Sequence, residues 1–379
     1  MVMGMRAGEL QTCLQVARKD KPMLSRTDAK ILMVGPDRSL KGGIVSVVNG
    51  YYEAGLNDRC AMFEYQGTGV GRNVLTKSLA FTGALLSYKR LLGNFDIIHL
   101  HISAKGSFER KAIMASLAKL SGKKVILHEH SGKFAHDFES GSRSYRDRVR
   151  SVFNGADRVV VLSEEWHDYF AENVVKDRDK LVVLHNGVSV PAKPCSPGLN
   201  QNVLFLGRLD ENKRPDMLME ASRDVLKESP DMQLFFGGDG DLGHYEIIAK
   251  ELGIADRCEF VGWVTGEKKE ELFSRSGIFC LPSKYEAMPM SVMEAMAHGL
   301  PVVATRVGGV PQLIEDGADG VLIDVDDVES LGKSLRQLMG SAGERTRLGA
   351  VAREKIRRKF SEESTVNSMI DIYQELLRS

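Results

Sequence analysis

Short runs of aliphatic and β-branched residues recur along the chain, separated by longer stretches in which apolar positions return every three to four residues. Lys30-Ile31-Leu32-Met33-Val34, Ile97-Ile98-His99-Leu100, Lys124 to Leu127, Arg158 to Leu162 and Leu181 to Leu184 read as strands. Their apolar residues are continuous rather than alternating, as in strands covered on both faces. Lys77 to Leu91 and Phe108 to Leu120 carry helical spacing between them. Such alternation predicts parallel sheets with helices on both faces.

The densest proline cluster, Pro191-Ala192-Lys193-Pro194-Cys195-Ser196-Pro197-Gly198, reads as a linker, and beyond it the alternation restarts. Strands are expected at Asn202 to Leu206, Gln233 to Phe236, Cys258 to Val261, Ile278 to Leu281, Val302 to Ala304 and Gly320 to Ile323. Three closing helical stretches, Val328 to Met339, Gly343 to Arg358 and Glu363 to Leu377, have no strands between them and are expected to pack back across the hinge. The expected fold is α/β: an extension over 1–27, a doubly wound domain over 28–190, a linker over 191–200, a second doubly wound domain over 201–360, and a last helix over 361–379 returning toward the first domain. Two such domains face each other across a cleft at the carboxyl ends of their strands, where open α/β sheets bind ligands.

At 379 residues, 43% apolar and 27% charged, the chain has the balance of a globular enzyme with two cores. Five scattered cysteines without CxxC spacing suggest neither a disulfide framework nor a zinc knuckle. No stretch is apolar enough to span a membrane or to act as a signal peptide, so a cytoplasmic location is expected. Charge is uneven: 28 Lys and Arg stand against 20 Asp and Glu up to Val190, and 23 against 31 beyond it. A basic first half suits an anionic membrane surface or an acidic substrate, with solvated helix faces as the plainer alternative. The helices Arg72 to Leu92 and Lys105 to Leu120, which mix cations with Leu, Phe and Met, fit either reading; nucleic acid is not expected.

The most informative segment runs from Tyr285 to Pro301. Pro289 suits the first turn of a short helix and Gly299-Leu300-Pro301 its end, with Glu286 just before the helix and Glu294 on it. Free N–H groups at such a helix start favour a diphosphate, and the two acids can accept hydrogen bonds from sugar hydroxyls on either side. Arg208 and Lys213, just past the first strand of the second domain, offer a guanidinium fork and a point charge to phosphate oxygens. Gly42-Gly43 opens a helix in the first domain and permits close approach of a ligand.

The spacing Glu286-x7-Glu294, followed by Ala-x-Ala-x-Gly-x-Pro, resembles the signature of the retaining family 4 glycosyltransferases of GT-B architecture. Gly207-Arg208-Leu209 with Lys213, Gly237-Gly238-Asp239-Gly240 and His185-Asn186-Gly187-Val188 resemble further elements of that family in the same order. The resemblance implies two Rossmann-like domains, with a nucleoside diphosphate sugar held by the second and a glycan or lipid-linked acceptor by the first. It also implies retention of anomeric configuration and no metal or cofactor. Glu286 would bind the donor sugar and Glu294 the ribose, while Arg208 and Lys213 would neutralise the departing diphosphate. Gly42, Gly43, Gly207, Gly238, Ala287, Met288 and Pro289 would line the donor site, with Gly262, Trp263 and Val264 as its lip. Aligning the strand Val125 to Leu127 with the family's pattern puts His130 at the active-site histidine; His99, His101, His128 and Asn186 are acceptor-side candidates. For His99 and His101 the alternative is that they satisfy local hydrogen bonds at strand ends.

Four other readings compete. The two His-x-His pairs, His99/His101 and His128/His130, invite a metallohydrolase, which would need further ligands. Gly238 to Gly243 spells GxGxxG, but the acid required after the next strand is missing. Asp324-Val325-Asp326 spells a metal-binding DxD in the wrong setting. A nucleotide-sugar epimerase or phosphorylase remains open within the same fold.

Overall fold

The computed structural model describes residues 25–69, 74–103 and 105–378, so most of the expected extension and the start of the Arg72 helix lie outside the described residues. Among the described residues, twelve strands form two parallel sheets. The first contains β1 (Thr27–Gly35), β2 (Cys60–Gly67), β3 (Ile97–Ile102), β4 (Lys124–Glu129), β5 (Arg158–Val161) and β6 (Leu181–Val183), in spatial order β2-β1-β3-β4-β5-β6. The second contains β7 (Val203–Leu206), β8 (Leu234–Gly237), β9 (Cys258–Gly262), β10 (Ile278–Leu281), β11 (Val302–Thr305) and β12 (Val321–Ile323), in order β12-β11-β10-β7-β8-β9. The strand order reverses between β1 and β3 in one sheet and between β7 and β10 in the other. Loops leaving adjacent strands there diverge to opposite faces, which opens a crevice at each switch point.

Sequence reasoning missed β2. As an edge strand paired only with β1, it is mostly half-exposed, so Cys60-Ala61-Met62-Phe63-Glu64 lacks the continuous apolar run that marks a central strand.

Successive residues of the first sheet face opposite cores. Leu32, Val34, Ile98, Leu100, Val125 and Leu127 pack on one side beneath Phe108, Phe134, Phe153 and Phe170. Ile31, Met33, Ile97, Ile126 and Val160 pack on the other, against Val366, Met369, Ile370 and Tyr373. Those four residues belong to the last helix, Glu362–Arg378, so the end of the chain completes the core of the first sheet. Each such apolar side chain fully buried contributes roughly 1.5–3 kcal/mol. The helix starts where Ser361 Oγ accepts the Ser364 N–H at 3.3 Å, with Glu362 and Glu363 at the positive end of its dipole. Of the three closing helices only this one packs back; Val328–Met339 packs on Pro215–Glu228, and Ala342–Lys359 on Met290–Ala297, both over the second sheet. The two crossings between lobes lie side by side: Val188 N–H donates to Phe360 O at 3.0 Å, and Glu362 N–H to Val188 O at 3.2 Å.

Candidate active site

A cavity of ≈ 680 Å³ lies between the carboxyl ends of the two sheets. Both switch points open onto it. From the first lobe come Pro36, the Lys41-Gly42-Gly43 turn, Ser103 and the His130-Ser131-Gly132-Lys133 loop; from the second come Gly207, Arg208, Lys213, Gly238, Trp263, Val264 and the Tyr285 to Ser291 segment with Glu294. The structure thus gathers Glu286, Glu294, Arg208, Lys213, His130, Gly42, Gly43, Ala287, Met288, Pro289 and Asn186 around one space.

Local chemistry explains the placement. After β7, Asp210 Oδ1 accepts the N–H groups of Asn212 and Lys213 at 3.1 and 3.0 Å, a turn that throws Lys213 across to the loop after β10. There its ammonium pairs with Glu286 Oε1, which also accepts the Ser283 hydroxyl at 2.7 Å. The Glu286 side chain is only 8% exposed, so its carboxylate is a buried charge held by one cation and one hydroxyl. The Ser283 carbonyl in turn accepts the Thr305 hydroxyl at 2.5 Å, and Gly309 N–H donates to Ala287 O at 2.9 Å, fixing the loop from behind. Pro289 proves to be the residue before the helix rather than inside its first turn: its ψ of 116° is extended, and the helix begins at Met290. No side chain caps that start, so its first N–H groups remain available at the cavity wall.

Arg208 sits at the mouth with its side chain 65% exposed and Asp210 at 3.9 Å, an arm free to fold onto a phosphate. Sequence reasoning missed Lys269, whose ammonium lies 2.9 Å from Glu294 Oε1 on the cavity wall. It also missed contacts that cross the cleft: Lys41 stands 5.5 Å from the Trp263 ring and Lys133 5.7 Å from the Tyr285 ring.

Four expected residues do not line the cavity. Gly262 lies behind its wall, its carbonyl accepting Gly238 N–H at 2.8 Å. His99, His101 and His128 are 1%, 0% and 0% exposed, because they share the sheet face that Glu362–Arg378 covers. They form local hydrogen bonds instead: His99 Nδ1 meets the Tyr373 hydroxyl at 2.8 Å, His99 Nε2 meets His128 Nδ1 at 3.1 Å, and His101 Nδ1 meets His130 Nε2 at 2.8 Å. The three buried histidines bring ring nitrogens within 4.8 Å of one another, but no carboxylate joins them among the described residues, and the cavity does not reach them. A hydrolytic metal there would have no path to a substrate. Elsewhere, the DxD acids pair with arginines, Asp326 with Arg214 and Asp324 with Arg306 at 3.9 Å. The GxGxxG turn ends in an ordinary helix cap, with Asp241 Oδ1 accepting His244 N–H at 3.1 Å. Asn186, 3% exposed, donates from Nδ2 to Met288 O at 3.3 Å and so joins the first lobe to the Tyr285 to Ser291 loop.

Burial holds His99 and His130 neutral, their pKa lowered to about 3, and holds His101 and His128 well below the ordinary 6.5. A histidine whose folded pKa is depressed contributes stability that is complete above its unfolded pKa and is lost as pH falls. The loss is up to about 1.4 kcal/mol per pH unit for each group. Glu129 opposes this, since burial pushes its carboxyl up to about 8 and its contribution fades as pH rises toward that value. Glu362, pushed up to about 7 by burial, opposes it in the same way. Four imidazoles against two carboxyls still leave a net fall, so the melting temperature is expected to drop between pH 6.5 and 5, more steeply toward pH 5. A calorimetric profile flat over that range would contradict the buried neutral cluster.

Comparison with known proteins places this geometry in a family. The family model described as "Glycosyl transferases group 1" matches residues 193–355, and that described as "Glycosyltransferase Family 4" matches residues 63–190. The chain is 25% identical over 365 residues to an "Uncharacterized 41.2 kDa protein in cps region" of Klebsiella pneumoniae, covering 89% of this chain and 97% of that protein. It is 24% identical over 370 residues to a D-inositol 3-phosphate glycosyltransferase of Corynebacterium urealyticum, covering 89% and 84%. Among solved structures, Anabaena HepE in complex with UDP and glucose superposes with a TM-score of 0.73 at 18% identity, covering 92% of this chain and 99% of that one. Sucrose-phosphate synthase from Thermosynechococcus elongatus superposes with a TM-score of 0.74 at 19% identity, covering 93% and 99%. With both lobes matched in order and the fold shared along their length, the chain belongs to the group 1 glycosyltransferases of GT-B fold.

Proposed function

We propose that this glycosyltransferase moves a hexose-type sugar, with retention of configuration and without a metal, from a nucleoside diphosphate sugar to a glycan or lipid-linked acceptor of the cell surface. The observation that carries the reading is the convergence of Glu286, Glu294, Arg208 and Lys213 on one cavity beside an uncapped helix start. Two cations and backbone N–H groups stabilise the leaving diphosphate. Glu286 holds the donor sugar, Glu294 with Lys269 addresses the ribose, and His130 reaches the sugar from the opposite lobe. The first lobe receives the acceptor. The HepE complexes with UDP and with UDP-glucose make UDP the first nucleotide to try.

No helix among the described residues is long and apolar enough to cross a membrane. Peripheral attachment at the inner face is part of the proposal. It is supported by Leu79 and Leu86, 65% and 61% exposed on the helix Val74–Leu91, with Lys89 and Arg90 exposed at its end.

A thermal-shift screen of UDP-, GDP- and ADP-sugars tests the donor assignment. A ligand bound at 100 times its Kd stabilises the native state by about 2.7 kcal/mol. One nucleotide is expected to raise the melting temperature, with or without chelator present. A shift that requires a divalent ion, or none with any nucleotide sugar, would refute the reading. Product analysis separates transfer, which lengthens an acceptor and frees nucleoside diphosphate, from epimerisation.

A further inference from the structure

Among the described residues, His101 Nε2 and His128 Nε2 are buried ring nitrogens without a hydrogen-bond partner. Buried polar atoms are almost always satisfied, and an orphaned N–H is rarer than an orphaned acceptor. His101 uses its other nitrogen on His130 at 2.8 Å, and both rings are neutral, so a single proton lies between them. If that proton belonged to His130, His101 would carry its own on the orphaned Nε2, an N–H sealed away from any acceptor. If it belongs to His101 Nδ1, the orphan is only a bare lone pair. His130 then receives at Nε2 and carries its proton on Nδ1, the nitrogen that remains for the cavity.

The same polarity runs through the rest of the cluster. The Tyr373 hydroxyl has His99 Nδ1 as its partner, so its proton is satisfied only by donating there; His99 Nε2–H then donates to His128 Nδ1, which leaves His128 Nε2–H as the donor without a partner among these five residues. The one acceptor without a partner is His101 Nε2. Their residues are cross-strand neighbours in the β3–β4 register, with ring centroids 5.0 Å apart. The two orphans therefore complement each other, and pairing them would join the two halves of the cluster.

We propose that Tyr373, His99, His128, His101 and His130 form a head-to-tail hydrogen-bonded chain that fixes the His130 proton on Nδ1, so that the first lobe presents a hydrogen-bond donor to the donor sugar. His101 is a positioning residue in this scheme, and Tyr373 on the last helix sets the direction. The inference rests on the reading that His130 contacts the sugar, but its principal readout does not.

The test uses the full chain with isotope-labelled histidine. Nitrogen-15 imidazole spectra are expected to show wild-type His130 protonated at Nδ1 and bare at Nε2. His101→Leu removes the donor: the spectra should show a mixture of His130 tautomers, and kcat should fall about tenfold with little change in donor KM, the signature of an interaction made in the transition state. His101→Asn places an amide N–H near the lost Nδ1–H and is expected to restore both. Tyr373→Phe should loosen the tautomer preference without touching the cavity. An Nε2-protonated His130 in the wild type, an unchanged tautomer in His101→Leu, or a stoichiometric transition metal in the purified protein would each overturn the chain. An active His130→Ala enzyme whose parent still shows the Nδ1 tautomer would instead overturn the role assigned to His130 and leave the chain standing.

Discussion

Replacing Lys213 with alanine is expected to lower the rate of diphosphate release by about 10²- to 10³-fold, the usual cost of removing one charged donor aimed at a leaving group. Its ammonium lies on Glu286 Oε1 inside the cavity, so the substitution has two consequences. The phosphate loses a cation, and a carboxylate that is 8% exposed loses its counter-ion. A cycle of Lys213→Ala, Glu286→Gln and the double variant separates them. If Lys213 serves only to neutralise Glu286, the double variant should recover most of the loss. If it stabilises the diphosphate, the two losses should compound. The second outcome is expected, measured as release of nucleoside diphosphate from the sugar donor that gives the largest thermal shift. Near-normal turnover of Lys213→Ala would sink the assignment of the cavity as the donor site.

The second large effect concerns closure. Gly132, in the loop after β4, lies against the backbone of the opposite lobe: a Cβ there would stand 2.7 Å from the Glu286 carbonyl carbon and 2.8 Å from Ala287 N. These are main-chain atoms fixed by Ser283, Thr305 and Gly309, so they cannot swing aside as a long side chain would. Gly132→Ala should therefore hold the lobes apart and lower activity about 10²-fold, the scale of a misplacement near 1 Å. The backbone of Gly132 is not in the left-handed region, so the folded lobes should remain stable. An unchanged melting temperature, a larger radius of gyration in solution scattering and a fall in kcat are expected together. Full activity would show that the lobes need not approach this closely.

Much of this was legible beforehand because it depends on local pattern. Eleven strands announced themselves by short, mostly apolar runs, and Glu286, Arg208 and Lys213 could be placed near the cavity from their positions just past strand ends. The strand β2 was not legible, since an edge strand need not be apolar throughout. Lys269 lies within Glu267-Lys268-Lys269-Glu270-Glu271, where nothing local tells which cation faces the cleft. The His-x-His spacing correctly put alternate residues on one face of each strand. It could not reveal that a helix bearing Tyr373, 274 residues beyond His99, would seal that face. Gly132 was likewise invisible as a contact, because what it touches belongs to the other lobe.

The last helix also determines how the molecule can be divided. A gene cut at the proline-rich segment would give a first fragment with Ile31, Met33, Ile97 and Ile126 only partly covered on one side of its sheet, by Val47, Val48 and Tyr51, and a second fragment trailing an amphipathic tail with nothing to bind. Supplying the peptide of residues 362–378 alongside the first fragment should restore its solubility, so reconstitution from pieces requires the end of the chain to travel with its beginning.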